Sequence, residues 1–586
     1  VSSIDGLYPE GAAGSLIAGP ETMVLGGDVA EELSTKLAHE QGEADRSSEV
    51  FRLARDPETY EVDVESDLTL EDYKERTDPR DWALLEKYAE AMQGRKVVFV
   101  NPTMEGGGVA MLRPTLVHMF RQFGIDAHWY VMAAGQNPEQ GNPFVFTKLM
   151  HNIAQRQAGE NRINDDGKAL HRRWAVEENG PVLLQQENIR TADVLVVDDP
   201  QPAPLIDSFR EVNPNAKLVW RNHIDTSNTL MSDPSTPQGE VSTYLLDECN
   251  VRSVDAIIAH PVAEFMHPGM EGKTYLAPAT IDPFDNLNRH LSDEEVAHGI
   301  QFINDEIVRK NEELVAAGRE VDVQPLIDPE ADNITQIARF DESKGIPEMM
   351  EQGVRARRIV RARLQEAGVP EDEIEARLPR IVIIGNGSVD DPSGVPMYEE
   401  TLRLRRELYP EDAHAITVMR LKHNYDAMNA AMRSSTILNQ MSTAEGCETR
   451  ISDGRNHGLP VVISNRGGMS TQVLGEGLSA TIVDYDGGRK DEELTRGATY
   501  MADLLTDPGL YEAAVDEAMA HAETHNRRNF GTVSNATRFL RVFNRVLAGE
   551  AEADKVWLMH ELVEQEPLTA GGRRLPRAAG SLATSS

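Results

Sequence analysis

Arg339 and Lys344 stand five positions apart, where a strand-like run, ITQIA, gives way to the turn DESKG and the start of a helix. Two cations at a strand end beside a helix N-terminus can clamp a phosphate or diphosphate and neutralise the charge that builds as it departs. The competing reading pairs Arg339 with Asp341 on the surface. Further along, QMSTAEGCETRISD at 440–453 follows another strand-like run. Glu445 lies in its loop, and Asp453 comes eight positions later, two turns along a helix that opens near Glu448. Carboxylates so placed can hold hydroxyls at the two ends of one extended ligand, a sugar and a ribose. Nearer the N-terminus, Gly106, Gly107 and Gly108 separate a strand-like run from a helical one. Bare backbone N–H groups there, with the helix dipole behind them, can face an anion or an oxygen-rich ligand. His223, in WRNHIDTS, follows a strand and can face the same cleft, although a single such histidine is more often a satisfied structural one.

The elements that must position these residues can be read from apolar periodicity. KVVFVN at 96–101 has a buried-strand pattern, and Met111, Leu112, Leu116, Met119, Phe120 and Phe123 share one helical face after the glycines. Apolar runs at 127–132, 194–197, 218–220 and 256–259 continue the series, separated by helical segments. A second series has runs at 334–340, 380–385, 415–419, 435–440 and 459–464. Strands alternating with helices predict an α/β protein of two Rossmann-like lobes facing a central cleft, where strand C-termini meet helix N-termini. The expected division is an N-terminal extension over 1–95, helical and without strands; a first lobe over 96–285; and a helical connection or insertion over 286–331. A second lobe over 332–530, C-terminal helices over 531–565 returning to the first lobe, and a mobile tail over 566–586 complete it.

Composition narrows the partners. The 586 residues carry 97 Asp and Glu against 58 Lys and Arg, a net charge of −39, which disfavours nucleic acid and anionic membrane surfaces. With 40% hydrophobic residues the chain has material for more than one core. The one basic run, Arg355, Arg357, Arg358, Arg361 and Arg363, sits in a helical pattern and reads as a solvated face. No long apolar stretch or secretory leader is seen, and Cys249 and Cys447 alone build neither a disulfide framework nor a cysteine metal site, so a cytoplasmic protein is expected. Asp198/Asp199 and Asp390/Asp391 each precede a proline and read as turn formers rather than metal ligands. Only 13 of the 58 basic residues are lysine, an acidic, arginine-rich composition of the kind adapted to high salt, though high genomic GC has the same effect. A homo-oligomer is compatible with the sequence.

Taken together, VFVNPTMEGGGVAMLRPTL, HWYVM, VVDDPQPAPLI, LVWRNHIDTSN, YLAPATIDP, ITQIARFDESKGI and LNQMSTAEGCETRISD with GLPVVISNRGG resemble, in order and spacing, the retaining GT-B glycosyltransferases of family four. The similarity is to the branch containing trehalose synthase (glycosyl-transferring) and the retaining trehalose phosphorylases. The resemblance implies transfer of a glucosyl unit with retention, the first lobe holding the acceptor and the second the donor, with no obligatory cofactor or metal. It places Gly106, Gly107, Gly108 and Gly446 near the phosphate and sugars, His223 on the transferred sugar, Arg339 and Lys344 on the phosphate, and Glu445 on the donor sugar hydroxyls. Asp453 falls where the family's second glutamate grips the ribose. The family follows that glutamate with alanine and an aliphatic residue, whereas this chain reads DGRNH, with a side chain one methylene shorter. The leading expectation is trehalose formation from glucose and a nucleotide-glucose, with UDP-glucose, ADP-glucose and GDP-glucose as candidate donors. The alternatives are a trehalose phosphorylase and a non-catalytic sugar- or nucleotide-binding protein.

Overall fold

A computed structural model describes residues 50–104, 108–134, 141–224, 228–262, 265–386, 394–421, 424–484, 490–550, 552–566, 569–570 and 573–574. Strands β1 (Arg52–Arg55) and β2 (Val62–Glu65) pair antiparallel, so residues before Lys96 do include strands, against expectation. Each has only four residues, and the alternation in VDVE, with Val62 and Val64 inward, is too short to stand out from the acidic helical stretches around it. The acidic stretch 29–41 and the tail beyond Arg574 lie outside the described residues.

The first lobe is a parallel sheet of β3 (Lys96–Asn101), β4 (Asp126–Val131), β5 (Val194–Asp198), β6 (Lys217–Arg221), β7 (Ala256–Ala259) and β8 (Thr274–Leu276), in the order β4-β3-β5-β6-β7-β8. Val97 and Phe99 face one core, and Val98 and Val100 face the other. The strands are therefore apolar throughout rather than alternating, as in a sheet covered on both faces. The second lobe holds β9 (Asn333–Ile337), β10 (Arg380–Asn386), β11 (Ile416–Leu421), β12 (Ile437–Gln440), β13 (Val461–Ser464) and β14 (Ala480–Val483), in the order β11-β10-β9-β12-β13-β14. The short edge strands β8 and β14 carry weak patterns and were not anticipated.

Strand order reverses between β3 and β5 in the first lobe and between β9 and β12 in the second. A crevice opens beyond the strand C-termini at such a point, because the adjoining connections leave to opposite faces. Gly108 opens the helix that follows β3, Asp198 ends β5 with Asp199 next to it, and the segments after β9 and β12 carry Arg339 and Glu445.

One helix between the lobes belongs to the second, and one at the C-terminal side returns to the first. Helix Asp293–Ala316 opens on a Ser292/Glu295 capping box and buries Ile300, Ile303 and Ile307 in the second lobe's core. Helix Thr532–Leu547 crosses to the first lobe, where Phe539 and Phe543 pack on Phe99 and Phe120. The basic run lies on helix Ile346–Glu366. Arg355, Arg361 and Arg363 there pair with acidic neighbours, but Arg357 is buried rather than solvated and donates to Pro379 O at 2.7 Å and Glu375 Oε1 at 2.6 Å. Among the described residues no helix is long and apolar enough to cross a membrane.

Candidate active site

In the second lobe, β9 ends at Ile337 and the chain runs through Arg339 into a 3-10 turn, Glu342–Lys344. Asp341 opens that turn by accepting from Ser343 N at 2.8 Å, and its other oxygen pairs with Lys148 of helix Pro143–Ala154 in the first lobe. Asp341 is thus a buried link between lobes and not a surface residue. Burial would raise its carboxyl, but Lys148 and then Arg339 hold it well below the ordinary value.

Lys344, 6% exposed, donates from Nζ to Glu445 Oε2 and, at 2.5 Å, to Glu448 Oε2. Burial alone would lower the ammonium, but the two carboxylates outweigh it and hold it above the usual lysine range. Burial raises Glu445, with Glu448 adding to the shift, whereas Lys344 overcomes burial to hold Glu448 low. The loops carrying the three groups are stitched by Thr443 N to Ser343 O at 2.7 Å and Gly468 N to Glu445 O at 3.1 Å. Glu448 also caps helix Thr449–Asn456 by accepting from Arg450 N.

Of the first-lobe glycines, Gly108 opens helix Gly108–Gln122, while Gly106 and Gly107 lie outside the described residues. His223 follows β6, with its side chain 11% exposed, and its Nε2 accepts from Arg221 Nε at 3.2 Å. Below it Arg113, from helix Gly108–Gln122, grips Asp198 with two bonds of 2.7 and 2.6 Å, both residues fully buried. The Arg113 guanidinium lies 4.7 Å from the Phe99 ring centre and 5.1 Å from that of Phe539. Asp199 adopts φ +67°, in keeping with the turn expected there. Asp390 and Asp391 lie outside the described residues. Breaking the Arg113–Asp198 pair with Arg113→Leu leaves a buried carboxylate unpaired and should cost about 3–5 kcal/mol, read as a lower denaturant midpoint.

The two halves meet at Gly446. A Cβ there would lie 2.6 Å from His260 and 2.8 Å from Phe265 of the first lobe, so only glycine allows this approach. The His260 ring is 5.4 Å from that of His223. Adjoining Cys447 is buried against Ala279 O, and burial, Glu445 and Glu448 together push its thiol up, so it is an inert neighbour rather than a nucleophile. Glu445, Gly446, Lys344 and, across the cleft, His223 are thus gathered about one place, with Arg339 at the end of the adjacent strand.

Asp453 is placed differently. It is buried, receives Asn288 Nδ2 on Oδ1 at 2.8 Å, and pairs through Oδ2 with Arg450 at 2.8 Å. Burial raises its carboxyl, and burial with Asp282 and Asp453 raises that of Asp285 beside it. In this conformation Oδ1 is taken up by Asn288, while Oδ2 is buried and held by Arg450 as an ion pair without a hydrogen bond. In the sequence Asp341 reads only as a surface partner of Arg339, and Glu448, Lys148, Arg113 and Arg221 carry no local mark of a site role. Glu448 stands in the same string as Glu445, while Asp341, Lys148 and Arg113 become site residues only through partners distant in the chain.

A neutral histidine, two cations and a carboxylate at the mouth of two switch points suit handling of a sugar hydroxyl face next to a phosphate. Residues 99–267 match a family model described as the trehalose synthase N-terminal domain. A trehalose phosphorylase of Pleurotus sajor-caju is 32% identical over 545 residues, covering 89% of this chain and 68% of that protein. That of Pleurotus pulmonarius is 32% identical over 527 residues, covering 87% and 65%. The chain therefore spans about two thirds of the length of these fungal relatives. A trehalose synthase of Pyrococcus horikoshii is 28% identical over 478 residues, covering 81% of this chain and 96% of that protein. The crystal structure of a UDP-forming α,α-trehalose-phosphate synthase from Burkholderia xenovorans shares the GT-B fold at a TM-score of 0.53 and 15% identity, covering 77% of this chain and 99% of that one. The chain belongs to the family-four GT-B branch that holds the trehalose synthases and trehalose phosphorylases.

Proposed function

We propose that the chain moves a glucosyl unit to or from trehalose with retention, and that its partner is inorganic phosphate: trehalose and phosphate in, glucose 1-phosphate and glucose out. The observation that carries this choice is the contrast between the two ends of the donor site. The phosphate end, Arg339 and Lys344, is intact, while Asp453, at the position of the ribose grip, is committed to Asn288 and Arg450. The similarity to the Pleurotus trehalose phosphorylases supports the same choice. In this reading Lys344 and Arg339 take up the charge of the phosphate oxygens as the glycosidic bond exchanges, Glu445 holds the glucosyl hydroxyls, and His223 contacts the glucosyl ring. The nucleotide-glucose donor favoured by the sequence becomes the second reading. It is supported by an alignment running along nearly all of the Pyrococcus trehalose synthase.

One assay separates them, run in molar potassium chloride because of the acidic composition. Trehalose plus phosphate should yield glucose 1-phosphate. Glucose with UDP-, ADP- or GDP-glucose should yield no nucleoside diphosphate. Nucleotide release with a non-reducing disaccharide would establish the second reading, and silence in both arms would favour a non-catalytic binder. Asp453→Asn should change the KM for phosphate less than about 2-fold; a rise of about 10-fold or more in the KM for a nucleotide-glucose would instead mark a ribose contact worth about 1.4 kcal/mol.

A further inference from the structure

We propose that Arg221 is a positioning residue that fixes His223 in one tautomer, with the ring proton on Nδ1, so that His223 offers substrate a neutral N–H donor. The inference rests on the reading of this cleft as a sugar site only in naming what the donor serves. The tautomer follows from geometry. A guanidinium has donors and no acceptor, so the 3.2 Å bond from Arg221 Nε obliges His223 Nε2 to be the unprotonated, accepting nitrogen. The proton must then sit on Nδ1, which makes no hydrogen bond among the described residues.

A competitor for that proton is close. Asp198 Oδ1 is 3.8 Å from His223 Nε2, near enough to draw a proton onto Nε2 and stabilise an imidazolium. Two cations prevent it. Arg113 occupies both oxygens of Asp198, and Arg221 occupies Nε2 itself. The groups facing His223 are Arg221 at the end of β6, Asp198 at the end of β5, Arg113 on helix Gly108–Gln122, His151 on helix Pro143–Ala154 and His260 after β7. Burial, Arg221, Arg113 and His151 all act to keep the ring neutral, in agreement with the geometry.

Arg221 is an expensive residue for a merely structural task. It is 1% exposed, and its two terminal nitrogens are buried without hydrogen-bond partners. Burial and Arg113 pull its pKa down to about 9. A buried charge with orphaned donors costs stability, and the bond it does make is to His223 at the cleft.

The test uses the full chain and two variants: Arg221→Met, which keeps the bulk and loses the donor, and Arg221→Gln, whose amide can donate without a charge. Nitrogen-15 NMR of the imidazoles reads the tautomer without substrate, the His223 signals being assigned by their loss in His223→Asn. The native protein should show His223 protonated on Nδ1 alone, and Arg221→Gln should retain this state. Arg221→Met should shift the proton toward Nε2. In the activity arm, Arg221→Met should lower kcat/KM about 10- to 100-fold and add an acid limb near the ordinary histidine pKa, absent from the native profile. A native His223 protonated on Nε2 would overturn the proposal, as would an Arg221→Met protein with unchanged tautomer and pH profile. Should Arg221→Met fail to fold, the native and Arg221→Gln spectra still decide. An enzyme silent toward every substrate would defeat the proposed function but leave the tautomer readable.

Discussion

Lys344→Met should abolish all but about 1% or less of kcat and also destabilise the protein, and the two effects should separate. Lys344 lies buried between Glu445 and Glu448 and is the cation common to both. Its removal leaves two carboxylates facing one another without a counter-charge, a loss of about 3–5 kcal/mol. In that variant burial and the mutual repulsion of the two carboxylates act without Lys344, so the pair takes up a proton at higher pH than in the unfolded chain. The lost stability should therefore return as pH falls and one takes up a proton, and be greatest at neutral pH and above. Adding Glu448→Gln removes one of the opposed charges and should recover most of the melting temperature. It should not recover turnover, because the charge that the proposed function assigns to the phosphate is still missing, a deficit of about 10²–10³ in kcat. A double variant that regains native turnover would show Lys344 to be a structural counter-ion only. Glu445→Ala should lose turnover by a similar factor with the fold intact.

Gly467→Ala should lower kcat about 100-fold though it touches no charged group. Gly467 has φ +55°, and a Cβ there would lie 1.7 Å from the carbonyl oxygen of Glu445. That oxygen also receives Gly468 N, so the loop carrying Glu445 is held from below by this turn. An alanine must drive the Glu445 backbone outward, and displacement by about 1 Å is enough to cost two orders of magnitude when a substrate hydroxyl is being held. The control is Gly475→Ala, at φ +98° with nothing within 4 Å of the added Cβ. It carries the backbone strain without the displacement and should cost about 1–2 kcal/mol of stability while kcat stays native. Equal losses of kcat in both variants would refute the positioning role of Gly467.

Much of this site could be read before the fold was known, because its parts are local. Arg339 and Lys344 are visible as cations at a strand-to-helix turn, and Glu445 as a carboxylate in the loop after another strand. The strands themselves follow from runs such as KVVFVN and RIVIIG, whose apolar residues point to both faces of a buried parallel sheet. The hairpin at Arg52–Glu65 escaped notice since four-residue strands offer two inward side chains each, too few to establish a period. Glu448 escaped because a residue beside a candidate carboxylate has no local mark saying which of the two a lysine will reach.

Sequence alone determined the order of most of the strand and helix units in the two lobes, and with it the loops that carry Arg339, Lys344 and Glu445; which strands lie side by side, and so where the switch points fall, came from the tertiary structure. Hydrophobic period and turn chemistry act over a few residues, so they survive reading without a fold. Tertiary structure alone decided which charges face each other. Lys148 meets Asp341 from 193 positions away, Lys344 meets Glu448 from 104, and Asn288 meets Asp453 from 165. Arg221 and His223 are two residues apart, yet their bond matters because Arg113 and Asp198 arrive from other elements to bury it. Coulomb and desolvation energies depend on distance and burial, which no spacing along the chain encodes.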